Sequence, residues 1–306
     1  MREYRFAVAT AAATFLLLVI GGLVHPTGSS LACPDWPLCN GMVFPPMQGG
    51  ILYEHGHRLA ALTVSILTVA LAVVVHRARR ERDLRWLSLA AVALVGVQAS
   101  LGAVTVIYRL PLLVSASHLA TSMAFFSLLI YLAHRLRPAA TRAPPVGRGL
   151  VGLTAAAVYA QMVVGALVRH TGSALACGTD LILCEGAAWP SWGPAQVHMT
   201  HRLLGYAVMG LVVASALRTW RLAGDGPPVR RRLAALGPAL ALAQVTLGLL
   251  TVSSYVALPF VALHLAVGAA LLADQLALFL LLGPRGASVP APAGPPAPQL
   301  TPETVP

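Results

Sequence analysis

Long apolar runs alternate with short polar joints along the whole chain. The runs fall at residues 6–24, 57–76, 86–107, 111–134, 149–168, 197–217, 233–252 and 258–282. At about 1.5 Å per residue, a run of roughly 18 residues or more can cross a hydrocarbon core about 30 Å thick. Eight membrane-spanning helices are therefore predicted, and because unpaired backbone cannot face lipid, the fold class is an all-α membrane protein. Arg2 and Arg5 ahead of the first run resemble the start of a cleavable signal. No small-residue cleavage site precedes a polar start, however, and the segment has a counterpart later in the chain, so it reads as span 1. Residues 284–306 are rich in Pro and Ala and read as a disordered cytoplasmic tail.

Composition supports this reading: 57% of the 306 residues are hydrophobic and 10% are charged. The net charge of +11 does not point to nucleic acid, since all 21 basic residues are Arg, they cluster between apolar runs, and no aromatic residues interleave with them. It points to topology. Arg2 and Arg5, five Arg from Arg77 to Arg85, four from Arg135 to Arg148, five from Arg218 to Arg232, and Arg285 place 17 of the 21 on one side. By the positive-inside rule both termini are cytoplasmic, and loops 25–56 and 169–196 face outward from the plasma membrane. Those loops carry the four cysteines, Cys33 with Cys39 and Cys177 with Cys184. With five and six residues between them, neither pair is a CxxC exchanger. A disulfide within each loop is the simplest reading on an oxidising face, and free thiols that handle substrate are the alternative.

The sequence is duplicated. VHPTGSSLAC, from Val24 to Cys33, is echoed by VRHTGSALAC, from Val168 to Cys177, and His57-Arg58-Leu59 by His201-Arg202-Leu203, both displaced by 144. Gln98 with Leu101 and Gly102 recurs as Gln244 with Leu247 and Gly248, and His118 recurs as His264, displaced by 146. Two tandem four-helix bundles follow, residues 1–140 and 141–283. An even number of spans in each makes the repeat parallel, about an axis near the membrane normal.

Of the ten His, the four that recur carry the chemistry: His57 and His118 in the first half, His201 and His264 in the second. Ionisable groups at membrane depth are costly and need a reason. Zinc wants four ligands, or three and a water, and each half offers two imidazoles on separate helices. Heme iron has two axial positions, which helices on opposite walls of a bundle can fill. Counted from the apolar runs, His57 starts its span while His118 lies well inside its own, an offset of about 10 Å that demands a tilted porphyrin or tilted helices. Glu54, three residues before His57, breaks the duplication, because His198 stands at its counterpart. It is read either as an acid/base group at one heme site or as an interfacial partner of Arg58. Arg58 and Arg202 are read either as heme-propionate ligands or as interfacial snorkels. These residues alone reach a bis-His di-heme membrane protein. A cytochrome b-like electron carrier is the rival to an enzyme, and Glu54 in one half only is what argues against it.

In combination, Thr27-Gly28 with Cys33 and Cys39, Glu54 with His57-Arg58, His118, Thr171-Gly172 with Cys177 and Cys184, His201-Arg202 and His264 resemble the heme A synthases. The likeness runs to about residue 282. It implies an oxidoreductase that converts a ring methyl of heme O to the formyl group of heme A, through successive hydroxylations, for a terminal oxidase. By the same likeness His201 and His264 ligate a resident heme b. His57 and His118 line the heme O site, and Glu54 stands close to the reacting group. The implied partners are heme O, a membrane electron donor such as a quinol or a ferredoxin-like protein, the farnesyltransferase that makes heme O, and further copies of the chain. His55 and His198 are departures that add imidazoles near the two sites.

Overall fold

The computed structural model of the protein describes residues 1–138, 147–222 and 228–283. The tail 284–306, Arg142 and Arg285 lie outside them. Eight helices run in chain order: α1 Arg2–Val24, α2 Gly49–Ala78, α3 Arg82–Ile107, α4 Leu112–Leu136, α5 Arg148–His170, α6 Gly193–Leu222, α7 Pro228–Ser253 and α8 Leu258–Leu281. All eight are long and apolar enough to cross a membrane. Among the described residues there is no strand, only single bridges between Cys39 and Met42 and between Cys184 and Ala187. The protein is a multi-pass helical membrane protein.

Seven of the eight helices begin within about five residues of the apolar runs that predict them. The exception is α2, 30 residues long, whose outer end begins at Gly49, ahead of the run at 57–76. In α2 the turns holding Glu54 and His55 are helical, and hydropathy misses them because backbone hydrogen bonding does not require apolar side chains. This removes the predicted depth offset. His57 is eight residues into α2 and His118 six into α4, while His201 is eight into α6 and His264 six into α8. Each pair then differs in depth by about 3 Å.

Helices α1 to α4 close into a ring through α1–α2, α2–α3, α3–α4 and α1–α4 contacts, and α5 to α8 do the same. The rings meet through α1–α8, α4–α5 and α4–α8. This arrangement is compatible with two tandem bundles. One core, built on Val64, Leu71, Val75, Phe125, Leu129 and Leu132, fills the first ring. A second includes Val158, Val208, Val212 and Leu271 with Met123 of α4, and Leu18 and Leu119 pack on it from the first ring, so apolar burial continues across the seam. Tyr159 on α5 crosses the same seam, its hydroxyl donating to the Ala120 carbonyl at 2.9 Å.

The outer turns that deliver α4 and α8 are alike. Arg109 and Leu110 after α3, and Tyr255 and Val256 after α7, have positive φ. In each, the second residue's N–H bonds back at 2.8 Å, Leu110 to the Thr105 carbonyl and Val256 to that of Thr251. This left-handed closure satisfies the last carbonyls of one helix and reverses the chain into the next. It fixes how far His118 and His264 stand from the outer face.

Candidate heme sites and their outer loops

Each recurring histidine rests against a glycine of the preceding helix. A methyl group added to Gly21 of α1 would lie 2.8 Å from Cε1 of His57, and one on Gly165 of α5 would lie 3.0 Å from Cε1 of His201. On Gly102 and Gly248 it would lie 3.4 and 3.3 Å from Cε1 of His118 and His264. Four imidazoles therefore rest against four glycines, one per helix pair, tightly at Gly21 and Gly165 and more loosely at Gly102 and Gly248. Sequence reasoning noted Gly102 and Gly248 as repeat markers but missed the role of all four. The available signal was that Gly21 and Gly165 are themselves displaced by 144.

Amide side chains brace the backbone of these helices. Gln98 Nε2 donates to the His118 carbonyl at 3.0 Å, and Gln161 Nε2 to that of His201 at 2.8 Å. Nδ1 of all four histidines is buried with no protein partner. A buried ring nitrogen left unpaired costs free energy; Nδ1 of His55 and His198 is left in the same way, and what sets the four apart is their equivalent placing in the two halves. In the second half the rings of His201 and His264 have centroids 6.2 Å apart and planes at 67°. Two imidazoles on opposite sides of one iron, with metal–nitrogen bonds of about 2 Å each, put ring centres roughly 6 Å apart. The pair fits heme.

Glu54, buried at 4% exposure, sits at the outer end of α2. Its Oε1 accepts from Nη2 of Arg58 at 2.7 Å, and its Oε2 accepts from the Cys33 N–H at 2.8 Å. Arg58 also donates to the carbonyls of Asp35, Leu38 and Cys33. The two side chains thus tie the cysteine loop to α2. In the second half Arg202 donates to Nε2 of His198 at 3.2 Å and to the Leu183 carbonyl at 3.0 Å, the same device with an imidazole in place of the acid. Each arginine bonds one partner on its own helix and otherwise the loop carbonyls, and Nη2 of Arg202 stays buried without a partner.

The loops are covalently closed, Cys33 to Cys39 and Cys177 to Cys184. Asp35 shapes the first by accepting from the backbone N–H of Gly41 at 2.8 Å and Asn40 at 2.6 Å. Those N–H groups, Gly41 foremost, hold its carboxyl below the usual carboxylate range. His55, read from sequence as an extra imidazole near the heme site, is buried and donates from Nε2 to the Val43 carbonyl at 2.9 Å.

Fold and site together define a polytopic helical membrane protein with duplicated histidine pairs suited to heme. The family described as Cytochrome oxidase assembly protein (COX15-CtaA) matches residues 4–52 and 48–276. The chain belongs to this family. Among relatives, it is 35% identical over 300 residues to the heme A synthase of Geobacillus kaustophilus, covering 94% of this chain and 93% of that protein. It is 34% identical over 275 residues to that of Symbiobacterium thermophilum, covering 84% and 88%. It is 31% identical over 219 residues to that of Bacillus pumilus, covering 65% and 70%.

Proposed function

We infer that the chain is a heme A synthase, an oxidoreductase that converts heme O to heme A. The observation that carries the reading onto these residues is the His201–His264 ring separation of 6.2 Å, opposite a first half that repeats the same glycine-backed geometry. His201 and His264 hold a resident heme b in residues 141–283, and His57 and His118 line the heme O site in residues 1–140. When bound, the resident heme supplies one-electron transfer. The protein residues position and desolvate: Gly21, Gly102, Gly165 and Gly248 fix the imidazoles, and the apolar walls exclude water from the reacting methyl.

Oxidising that methyl to a formyl group in successive hydroxylations removes electrons and releases protons. Glu54, at the outer end of the helix bearing His57, accepts protons or stabilises positive charge at the reacting carbon. Its bond to Arg58 balances its charge, and its bond to the Cys33 N–H sets its position. Arginine placement puts both termini in the cytoplasm and the disulfide loops outside. With dioxygen as the oxygen source, a membrane donor of quinol or ferredoxin-like class supplies two electrons and two protons to each hydroxylation and water is the second product; with water as the source, the four electrons taken from the methyl leave to a membrane acceptor and four protons are released. The enzyme that farnesylates heme supplies the substrate, and copies of the chain associate.

Chromatography of hemes extracted from cells that make both heme O and this protein tests the reading. Formylated heme is expected. Unmodified protoheme and unreacted heme O alone would leave an electron carrier instead.

A further inference from the structure

Four arginines stand outside the predicted inner loops. Arg58 and Arg202 are bonded to the cysteine loops, and Arg109 is exposed in the α3–α4 turn. Arg169 remains. It lies one turn outward of Gly165 on α5, and residues four apart share a helix face, so it stands above the notch that holds His201. Its Nε is buried with no partner, and its one recorded bond is a long one, from Nη2 to the Gly22 carbonyl of α1 at 3.5 Å. Among the described residues no carboxylate pairs with it.

The first half repeats the arrangement with a different residue. His25 is the counterpart of Arg169 at a displacement of 144, and it follows Gly21, the notch of His57, by the same four positions. The two halves meet here: the rings of His25 and of His170, the neighbour of Arg169, pack edge-on with centroids 5.6 Å apart. His25 also faces Ser30, 3.3 Å from its Nδ1. Burial, and then the charge of Arg169, lower the pKa of His25. The Arg169 guanidinium therefore stands beside two imidazoles, half-buried at the junction of both histidine sites. A guanidinium removed from water in this way is costly until an anion meets it.

We propose that Arg169, with His25 and His170, forms a carboxylate site at the seam between the two halves that receives a propionate of bound heme. The inference rests on the heme reading above. A porphyrin is apolar except for two carboxylates on one edge, and the seam lies one helical turn, about 6 Å, outward of the glycine notches that seat the imidazoles. The planar guanidinium suits a carboxylate bidentately. The carboxylate comes from the resident heme or from the substrate, and the test separates them.

The full-length protein with its resident heme is compared with Arg169→Gln and Arg169→Lys. Removing a positive charge beside a propionate stabilises ferric iron. If the resident heme supplies the carboxylate, Arg169→Gln lowers its midpoint potential and Arg169→Lys restores most of the shift. If the substrate supplies it, the resident potential holds and KM for heme O rises about tenfold or more, the scale of a charged hydrogen bond. Heme O dimethyl ester then shows the raised KM with the unsubstituted protein and no further rise with Arg169→Gln. Unchanged potential, heme retention and KM in Arg169→Gln overturn the site. The low-spin spectrum of the unsubstituted protein is read in the same series: its absence overturns the heme reading itself, and its presence beside an inert Arg169→Gln overturns the carboxylate site alone.

Discussion

A glycine opposite each recurring histidine makes the imidazole positions sensitive to one methyl group. At Gly165 that methyl would stand 3.0 Å from His201, closer than carbon atoms pack, whereas at Gly248 the approach to His264 is 3.3 Å. Gly165→Ala should therefore shift the resident heme's spectrum and midpoint potential more than Gly248→Ala. His201→Ala or His264→Ala should remove the low-spin signal altogether. Optical and paramagnetic resonance spectra of the purified variants check the order, and a full low-spin spectrum in His201→Ala would sink the ligand assignment. Glu54 carries a second prediction at this scale. Glu54→Gln keeps one of the two acceptor oxygens that hold Arg58 and the Cys33 N–H and loses the negative charge, so the resident heme should be retained while unreacted heme O or a hydroxylated intermediate accumulates. If the acid only anchors the loop, extracted heme A per mole of protein stays normal, and a lower yield of folded protein is the sole effect.

Among the elements, the outer loops are small structures held by three kinds of bond. In the first, a disulfide joins Cys33 to Cys39, Asp35 gathers two backbone N–H groups, and Arg58 gathers loop carbonyls. Closing a loop this short contributes about 2 kcal/mol in the chain-entropy account. Peptide mapping without reduction should recover Cys33 linked to Cys39 and Cys177 linked to Cys184, and four thiols alkylated in freshly isolated membranes would remove this description. Cys33→Ser with Cys39→Ser should loosen the loop that Glu54 braces and so reduce heme A formation more than it reduces resident heme, because Glu54 stands in the first half only. Hydropathy located α2 but not its outer turns. The extension carrying Glu54 and His55 has no apolar run to announce it, and its helicity is stabilised by contacts with a loop about 20 residues away.

At the scale of the whole molecule, two rings of four helices share a seam at which α1, α4, α5 and α8 meet. The topology prediction belongs here. Reporter fusions at either terminus should report a cytoplasmic location, and fusions in 25–48 or 171–192 an external one. A cytoplasmic reading for either loop would overturn the orientation and, with it, the oxidising surroundings of the cysteines.

Span number, the duplication, the paired histidines and the cysteine pairs were all legible in the sequence, because each follows from a local or periodic property: apolar length, a fixed displacement, or residue type at repeated places. Contacts between residues distant in sequence were not. The glycine notches join helices whose spacing along the chain carries no signal. Glu54 and Arg58 turned to the cysteine loop through bonds spanning about 20 residues, and Arg169 and His170 met Gly22 and His25 across some 145 residues of chain. Hydrophobic pattern determines that a helix spans and roughly where. Which of its faces meets which neighbour depends on side-chain packing between helices, and only the tertiary structure decides that.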